Sequence, residues 1–576
     1  MHLQSFFANP TIPRQRQYEA LRSVILDKVP VAEAAKKYGY TPSSLYTFLR
    51  NTKAGKLELF PQVELGPKKR RTPDYIQQEI IAKRNKNLSA KDIQKGFSAE
   101  GYTISASTIE RVLADAHFAK LKRRPKFQRG NTLKNQDIPE RSAPIDFNEL
   151  EPFRYDCPAV GVFFFLPYII ESGIVDILQQ CQLPKSSAIN STQACLSMLL
   201  LKLIGSERLS HIEALDHELG LGIFAGLNVL PKTTYMSTYS CRTTDEMLLD
   251  FQRKIVSHFK TIYPDFYQAD FINLDFHSIP HFGDQSQMEK VWCGARGKAM
   301  KGANTVFAQD AKSNVILYTR ADILRKDEAK EIICFADYWK KVNGNTDETL
   351  VFDCKLTTYQ ILDKLHKDAI KFITLRKRST ALLAETSRIP DEKWQRIHLP
   401  IPKRIHKACS VYETTVIFSK CETKLRQIII KNHGRAEPTF IITNNYDLPL
   451  KDVLIVYAKR WHIENKLAEL VAFFNLNALS SPLMIRIHFD ILWTIVADTF
   501  YHRFAQDLPR FERERANSIF RRFIDMPGQI VYNGKEFIIK IRKRAHTPIL
   551  LGVKKLQESF AVPWLDNKLI KIEWTA

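Results

Sequence analysis

Three acidic residues, Asp275, Asp353 and Glu464, lie in segments whose apolar patterns call for two strands and a helix, so the chain is expected to fold as a mixed α/β protein. In FINLDFHSIPHFGD, Ile272, Leu274 and Phe276 alternate with Asn273, Asp275 and His277. That period of two describes a strand with one apolar face and Asp275 on the other. In LVFDCKLTTYQIL, the run Leu350, Val351 and Phe352 delivers Asp353 to a strand end, and Thr357 with Gln360 has capping-box spacing for a following helix. Ligand sites favour such a strand-to-helix edge. In VYAKRWHIENK, Tyr457, Arg460, Trp461 and Glu464 recur at i, i+3, i+4 and i+7, a single helical face about one hundred degrees wide. Three carboxylates drawn from two strands and a helix suit a hard cation with oxygen ligands. A pair of Mg2+ ions about 3.5 to 4 Å apart fits best, clamping the attacking and leaving oxygens of a phosphoryl displacement. If the three acids converge, the chain cuts nucleic acid.

The charge agrees with such a partner. The chain of 576 residues carries a formal charge of +23, and residues 1–130 hold 25 Lys and Arg against 11 Asp and Glu, about +14 of that excess. Each phosphate neutralised by such a surface releases counterions, so a polyanion is the expected partner. The 44 % hydrophobic content supports ample cores and argues against disorder. Nine cysteines are scattered without a CxxC pair, against both a zinc finger and a disulfide framework, and a cytoplasmic, nucleoid-associated location is expected. The longest apolar run, 158–170, is too short to span a bilayer and contains Pro167, so no membrane partner is expected.

Two helix-turn-helix units are expected at the N-terminus, within 1–60 and 73–130. In the first, a helical stretch over 16–28 precedes Pro30, VAEAAKKYG forms a second helix stopped by Gly39, and Thr41 with Pro42 opens a third through Leu49. In the second, Pro73 opens a helix to about Arg84, Ser89 caps another to Ser98, Gly101 breaks it, and Ser105 or Ser107 caps a third through Ala114. The competing reading of each is a three-helix domain that binds protein. The linker 61–72 carries Lys68, Lys69, Arg70 and Arg71, like arms that lie in a minor groove, and a second basic run containing Arg123 and Arg124 follows the second unit. Candidate base readers are Ser43, Ser44 and Tyr46 in one unit and Ser107, Thr108 and Arg111 in the other.

Residues 131–150 read as a polar linker and 151–262 as a helical domain for DNA binding or dimerisation. Strands and helices then alternate through 263–505, three hairpin-linked strands followed by strand-helix units, with a β insertion at about 377–438. A basic, strand-rich tail covers 506–576, with Asn533-Gly534 as a hairpin signal.

The segments around the three acids resemble the catalytic core of DDE-class insertion-sequence transposases, in the subgroup with a Y-R-E signature. The likeness rests on Asp275 followed by PHFGD, on FDCKLTTY, and on Tyr457, Arg460 and Glu464 at their spacing, and it covers roughly residues 150–500. It implies an RNase H-like fold, two Mg2+ ions with Mn2+ as a substitute, and cut-and-paste movement of an element by hydrolysis at its ends and strand transfer. Double-stranded DNA, as transposon end and as target, and a second copy of the chain in a homodimer are the implied partners. One position departs: where the subgroup carries Lys seven residues after the Glu, this chain has Val471, which leaves Lys466 or another base to contact DNA.

On this reading Asp275, Asp353 and Glu464 are the metal ligands and catalytic residues. Arg460 contacts phosphate, orients a carboxylate or forms a structural salt bridge. Tyr457 and Trp461 could stack on an unpaired base, with core packing favoured for Trp461. Lys355 faces the DNA backbone; Asp284, Asp310 and Asp322 compete as ligands, with Asp310 at a hairpin and Asp322 before a helix ranked below the three acids. The alternatives are a DNA-binding regulator without turnover and a nuclease lacking strand transfer.

Overall fold

The computed structural model describes residues 3–60, 72–85, 88–118, 141–215, 218–283, 288–321, 323–400, 408–478, 481 and 483–575, within two compact units, Met1–Gly130 and Asn131–Ala576. Lys68, Lys69, Arg70, Arg71, Arg123, Arg124, Asp284 and Asp322 lie outside the described residues.

In the first unit, helices Pro13–Ile25, Val31–Tyr38 and Pro42–Lys53 close around Ala20, Leu21, Ala34, Ala35, Tyr38 and Leu45. Helices this short are marginal alone, and each is held by the apolar stripe it turns to the other two. The first starts three residues before the expected Arg16, because Pro13 at the first helical turn lacks only an N–H that would have no partner there. Gly39 stops the second helix at φ 69°, a left-handed conformation that a side chain would strain, and Thr41 caps the third by accepting from Ser44 N at 3.2 Å. Helices Asp74–Asn85, Ala90–Ala99 and Ala106–Asp115 form a second group around Ile76, Ile80, Ile93, Phe97, Ile109, Val112 and Leu113. Ser89 and Asp92 form a capping box, and Ser105 caps the last helix by accepting from Thr108 N.

The second unit opens with strand β1 (Phe153–Cys157) and a run of helices. Ten strands follow: β2 (Phe271–Pro280), β3 (Lys290–Cys293), β4 (Lys298–Asp310), β5 (Ile316–Arg320), β6 (Thr349–Phe352), β7 (Phe372–Leu375), β8 (Gln395–His398), β9 (Ala408–Ile417), β10 (Lys424–Lys431) and β11 (Thr439–Thr443). They form one sheet in the order β3-β4-β2-β6-β7-β11-β10-β9-β8, with β5 also paired to β4. β2, β4 and β5 are antiparallel neighbours, whereas β6 lies parallel to β2 and β7 parallel to β6. Helix Glu331–Asn343 links β5 to β6, and helix Tyr359–Lys367 links β6 to β7. Leu350, Val351 and Phe352 are fully buried, as expected of a strand covered on both faces.

One expectation changes here, the cap of the helix after Asp353, and the place of the β insertion becomes visible. The strands of the segment 377–438 join the main sheet, because β11 pairs with the edge of β7 and β10, β9 and β8 extend it. Pairing satisfies an edge that would otherwise present bare N–H and C=O groups. The helix after Asp353 is capped by Thr358, whose hydroxyl accepts from Ile361 N, while the Thr357 hydroxyl donates to the Thr358 carbonyl.

The segments expected as linker, helical domain, catalytic core and tail share one packed body. Ser142 Oγ donates to Val229 O at 2.7 Å, anchoring residues 141–150 to the helical region. Strands β12 (Gly528–Tyr532), β13 (Glu536–Arg542), β14 (Phe560–Val562) and β15 (Lys568–Thr575) form a second sheet with β1 in the order β1-β12-β13-β15-β14. Gly534, at φ 90°, makes the expected hairpin turn between β12 and β13. One hydrophobic core runs from Phe153 to Ile572. Its central helix, Met484–Gln506, is buried nearly all round and pairs Asp490 with Lys202 of helix Ser191–Leu203 at 2.5 Å. Among the described residues no single helix is long and apolar enough to cross a membrane.

Candidate active site

The register between β2 and β6 places Leu274 opposite Phe352, so Asp275 and Asp353 are the next residues on two adjacent parallel chains. Neighbouring strands lie about 4.8 Å apart, which makes the two acids lateral neighbours. β2 continues past Asp275, whereas β6 ends at Phe352 and Asp353 turns the chain, its Oδ1 accepting from Cys354 N at 2.6 Å.

Glu464 arrives from the helical segment. The single face expected from Tyr457 to Glu464 is divided: helix Leu450–Lys459 ends at Arg460 and helix Trp461–Phe473 begins after it. Arg460 sits at the junction and still reaches both ways. Its guanidinium donates to Asp275 Oδ2 at 2.9 Å and to Glu464 Oε1 at 2.9 Å. Asp275 and Glu464 are therefore joined through one shared cation. Asp353 stands beside them without joining that pair, and among the described residues no three His, Cys, Asp or Glu side chains are close enough to hold a metal ion. Arg460 thus stands between two of the three acids, Asp275 and Glu464.

The electrostatics follow from this arrangement. Burial raises the Asp275 carboxyl above its ordinary range, Arg460 and the Phe276 N–H pull it down, and Glu464 adds to the rise. Burial works against the Arg460 charge, but Asp275, Tyr457 and Glu464 outweigh it and hold the guanidinium firmly cationic. The Tyr457 ring lies 5.9 Å from the Arg460 guanidinium, and its phenol is raised by burial, lowered in part by Arg460 and raised again by the charge of Asp353. Tyr457 thereby links Asp353 electrostatically to the bridged pair. An all-carboxylate donor set has the chemistry of a hard divalent cation, and this one already gathers two of its members around a positive charge.

Several expected roles move. Trp461, expected to pack in the core, is 45 % exposed and lies against the His462 ring at 4.7 Å, because the break at Arg460 turns it outward. Tyr457 is half-buried against the core around Val351 and Val453. Lys355 is exposed beside Asp353. Lys466 is unavailable to DNA: it is buried, donating to Asp498 Oδ1 at 2.7 Å and His502 Nε2 at 2.8 Å. Two residues after Glu464 it points about 200° away around the helix. Val471 is half-buried against the core. Asp310 is a buried turn residue accepting from Ala269, Lys312 and Ser313 N–H groups.

His277, on the same strand face as Asp275, is a neighbour that the sequence reading did not single out. Its Nε2 lies 2.8 Å from Asn477 Oδ1, and burial lowers its pKa, keeping the ring neutral. The period-two pattern carried the signal for His277, while Asn477 comes from a distant turn and had none.

In the first unit, Ser43, Tyr46, Ser107 and Arg111 are exposed. The hydroxyls of Ser44, Ser107 and Thr108 engage the capping residues Thr41 and Ser105.

No protein-family model matches the chain, and no curated protein matches it. Similar solved structures include the Mos1 mariner paired end complex with Mn, at 10 % identity over 63 % of this chain and 77 % of that one with a TM-score of 0.16. The Mos1 strand transfer complex is similar at 10 % identity over 64 % of this chain and 78 % of that one with a TM-score of 0.15. At these scores the likeness carries no argument, and the site rests on its own residues.

Proposed function

We propose that the chain is a DNA transposase of the Y-R-E insertion-sequence type, which binds the terminal inverted repeats of an element and catalyses metal-dependent cleavage and strand transfer. The observation that carries this reading is the placement of Asp275 and Asp353 side by side on parallel chains, with Glu464 tied to Asp275 through Arg460. The strand order β5-β4-β2-β6-β7, antiparallel then parallel, supports an RNase H-like core. The two three-helix groups, with exposed Ser43, Tyr46, Ser107 and Arg111, would act as helix-turn-helix readers of the ends. A homodimer on double-stranded DNA in the cytoplasm completes the proposal.

Asp275, Asp353 and Glu464 would hold Mg2+ ions, with Mn2+ able to substitute, and when bound these supply Lewis-acid polarisation of a phosphoryl oxygen and an acidified water. The chain's own groups position the DNA. Arg460, half-buried and always charged, offers further N–H groups to a phosphate oxygen, and Lys355 adds an exposed charge at the same edge. Trp461 presents an aromatic face on which an unpaired base can stack.

The test is cleavage of DNA bearing the element's ends in Mg2+ by the wild type and by Asp275→Asn, Asp353→Asn and Glu464→Gln. Each substitution should abolish nicking and joining while leaving end binding intact, and unchanged cutting by any one removes that residue from the site. The Arg460 bridge favours a second reading, a DNA-binding regulator in which Asp275 and Glu464 stay paired with Arg460. Wild-type protein that binds the ends and neither nicks nor joins them would establish that reading instead.

A further inference from the structure

We propose that Arg515, Arg521 and Arg522 form a second DNA-backbone site, a pocket for phosphodiester oxygens at the far end of the helix that carries Glu464. The inference rests on the DNA-handling reading above. The pocket has a volume of about 390 Å³ and is lined by Glu514, Arg515, Asn517, Ser518, Arg521 and Arg522. Three guanidiniums therefore face one carboxylate.

These arginines contrast with the paired arginines of the same unit. Arg320, Arg426, Arg460 and Arg503 each pair with a carboxylate. Among the described residues no carboxylate forms an ion pair with Arg515, Arg521 or Arg522, and Arg522 lies over the Phe511 ring at 5.1 Å. Like charges gathered at one pocket repel one another, and an anion entering it turns that repulsion into attraction. Guanidinium forks match phosphate oxygens in pairs, and Asn517 and Ser518 add neutral donors. The lining offers no aromatic face for a base, so the pocket suits the sugar-phosphate backbone.

The pocket is built on a firm support. Helix Ala516–Ile519 runs into a π-helical turn, Phe520–Ile524, a wide turn common at functional sites. That turn presses on Gly161, where an added Cβ would stand 2.3 Å from the Ile524 carbonyl oxygen. Ala516 N donates to Glu469 Oε1 at 3.0 Å, and the Phe520 ring lies 5.3 Å from Phe473, so the pocket is fixed to the Trp461–Phe473 helix. From Glu464 to Phe473 that helix rises about 14 Å, the length of roughly four base pairs of duplex. Glu469 and Phe473 stand about 140° and 180° around that helix from Glu464, so the pocket is offset from the carboxylate site around the helix as well as along it.

The test modifies the full-length chain with the arginine reagent phenylglyoxal, with and without duplex DNA, and reads each arginine by peptide mass spectrometry. Duplex should protect Arg515 and Arg521, and inorganic pyrophosphate at equal phosphate concentration should protect them less. The double variant Arg515→Gln, Arg521→Gln should lower the slope of log affinity against log salt by about two, with an unchanged thermal midpoint. DNA binding without protection, protection by pyrophosphate alone, or an unchanged slope in a folded variant overturns the pocket and leaves the transposase reading standing. Wild-type protein that binds no duplex overturns both.

Discussion

Two charge clusters share the Trp461–Phe473 helix, and they are built in opposite ways. At its start, Arg460 bridges Asp275 to a Glu464 whose side chain is 58 % exposed. Two residues on, Lys466 and Asp498 are 2 % and 1 % exposed, and Lys466 also reaches the half-buried His502. The sealed cluster has its partners inside the protein, so it fixes how this helix packs on Met484–Gln506. The open cluster keeps Glu464 in solvent and can exchange partners. Burial thus separates Lys466 from Arg460, six residues away, although both are cations beside acids.

The contrast is broken most directly at Lys466. Lys466→Met strands Asp498 in the core, where burial already lifts its carboxyl above the ordinary range against the pull of Lys466. It should destabilise the chain by about 3 to 5 kcal/mol in denaturant unfolding, and adding Asp498→Leu should recover most of that loss. A Lys466→Met protein within 1 kcal/mol of wild type, on the order of a surface pair, would show that the cluster is not sealed.

His502 sharpens the same side through pH. Burial, and then the Lys466 charge, push its pKa down to about 3, below the ordinary value near 6.5. Protons therefore bind the unfolded chain first. The contribution of His502 is complete above pH about 6.5 and is lost as pH falls toward 3, by at most about 1.4 kcal/mol per pH unit. Asp498, with its raised pKa, acts in the opposite sense at the acid end. Unfolding measured from pH 7 to 5 should therefore show a shallower decline in His502→Gln than in wild type.

On the open side the effects are smaller. Arg460→Gln should cost on the order of 1 kcal/mol, because solvent reaches Glu464 and the Phe276 N–H still serves Asp275. A loss as large as that of Lys466→Met would mean that Arg460 is a structural bolt. Trp461→Ala, at an exposed ring, should change stability by no more than about 0.5 kcal/mol, and the same unfolding curves check it.

Much of this was legible in the chain, and the failures have physical causes. Period-two alternation located β2, and the apolar run before Asp353 located β6, because a strand's faces are written locally. Caps and glycines marked the N-terminal helices for the same reason. The pairing of β11 with β7 and of β1 with β12 was hidden, since strand partners far apart in sequence leave no local mark. The break at Arg460 was hidden too, and it reversed the roles expected of Tyr457 and Trp461. Lys466 was readable in principle: its two-residue offset from Glu464 puts it on the opposite side of any helix that carries that acid at the surface. The centring of Asp275 and Glu464 on Arg460 required coordinates, because i, i+4 spacing explains only the contact with Glu464.

The smaller sheet also sets a schedule for the ribosome. Strand β1 leaves the exit tunnel long before β12, its partner in the sheet, and β15, which lies between β13 and β14, follows later still. At about 5 to 20 residues per second, β1 waits on the order of a minute for its neighbour. A nascent chain can thus display finished N-terminal helices while the body that holds the carboxylates is still open. Truncated products would keep the first capability and lack the second.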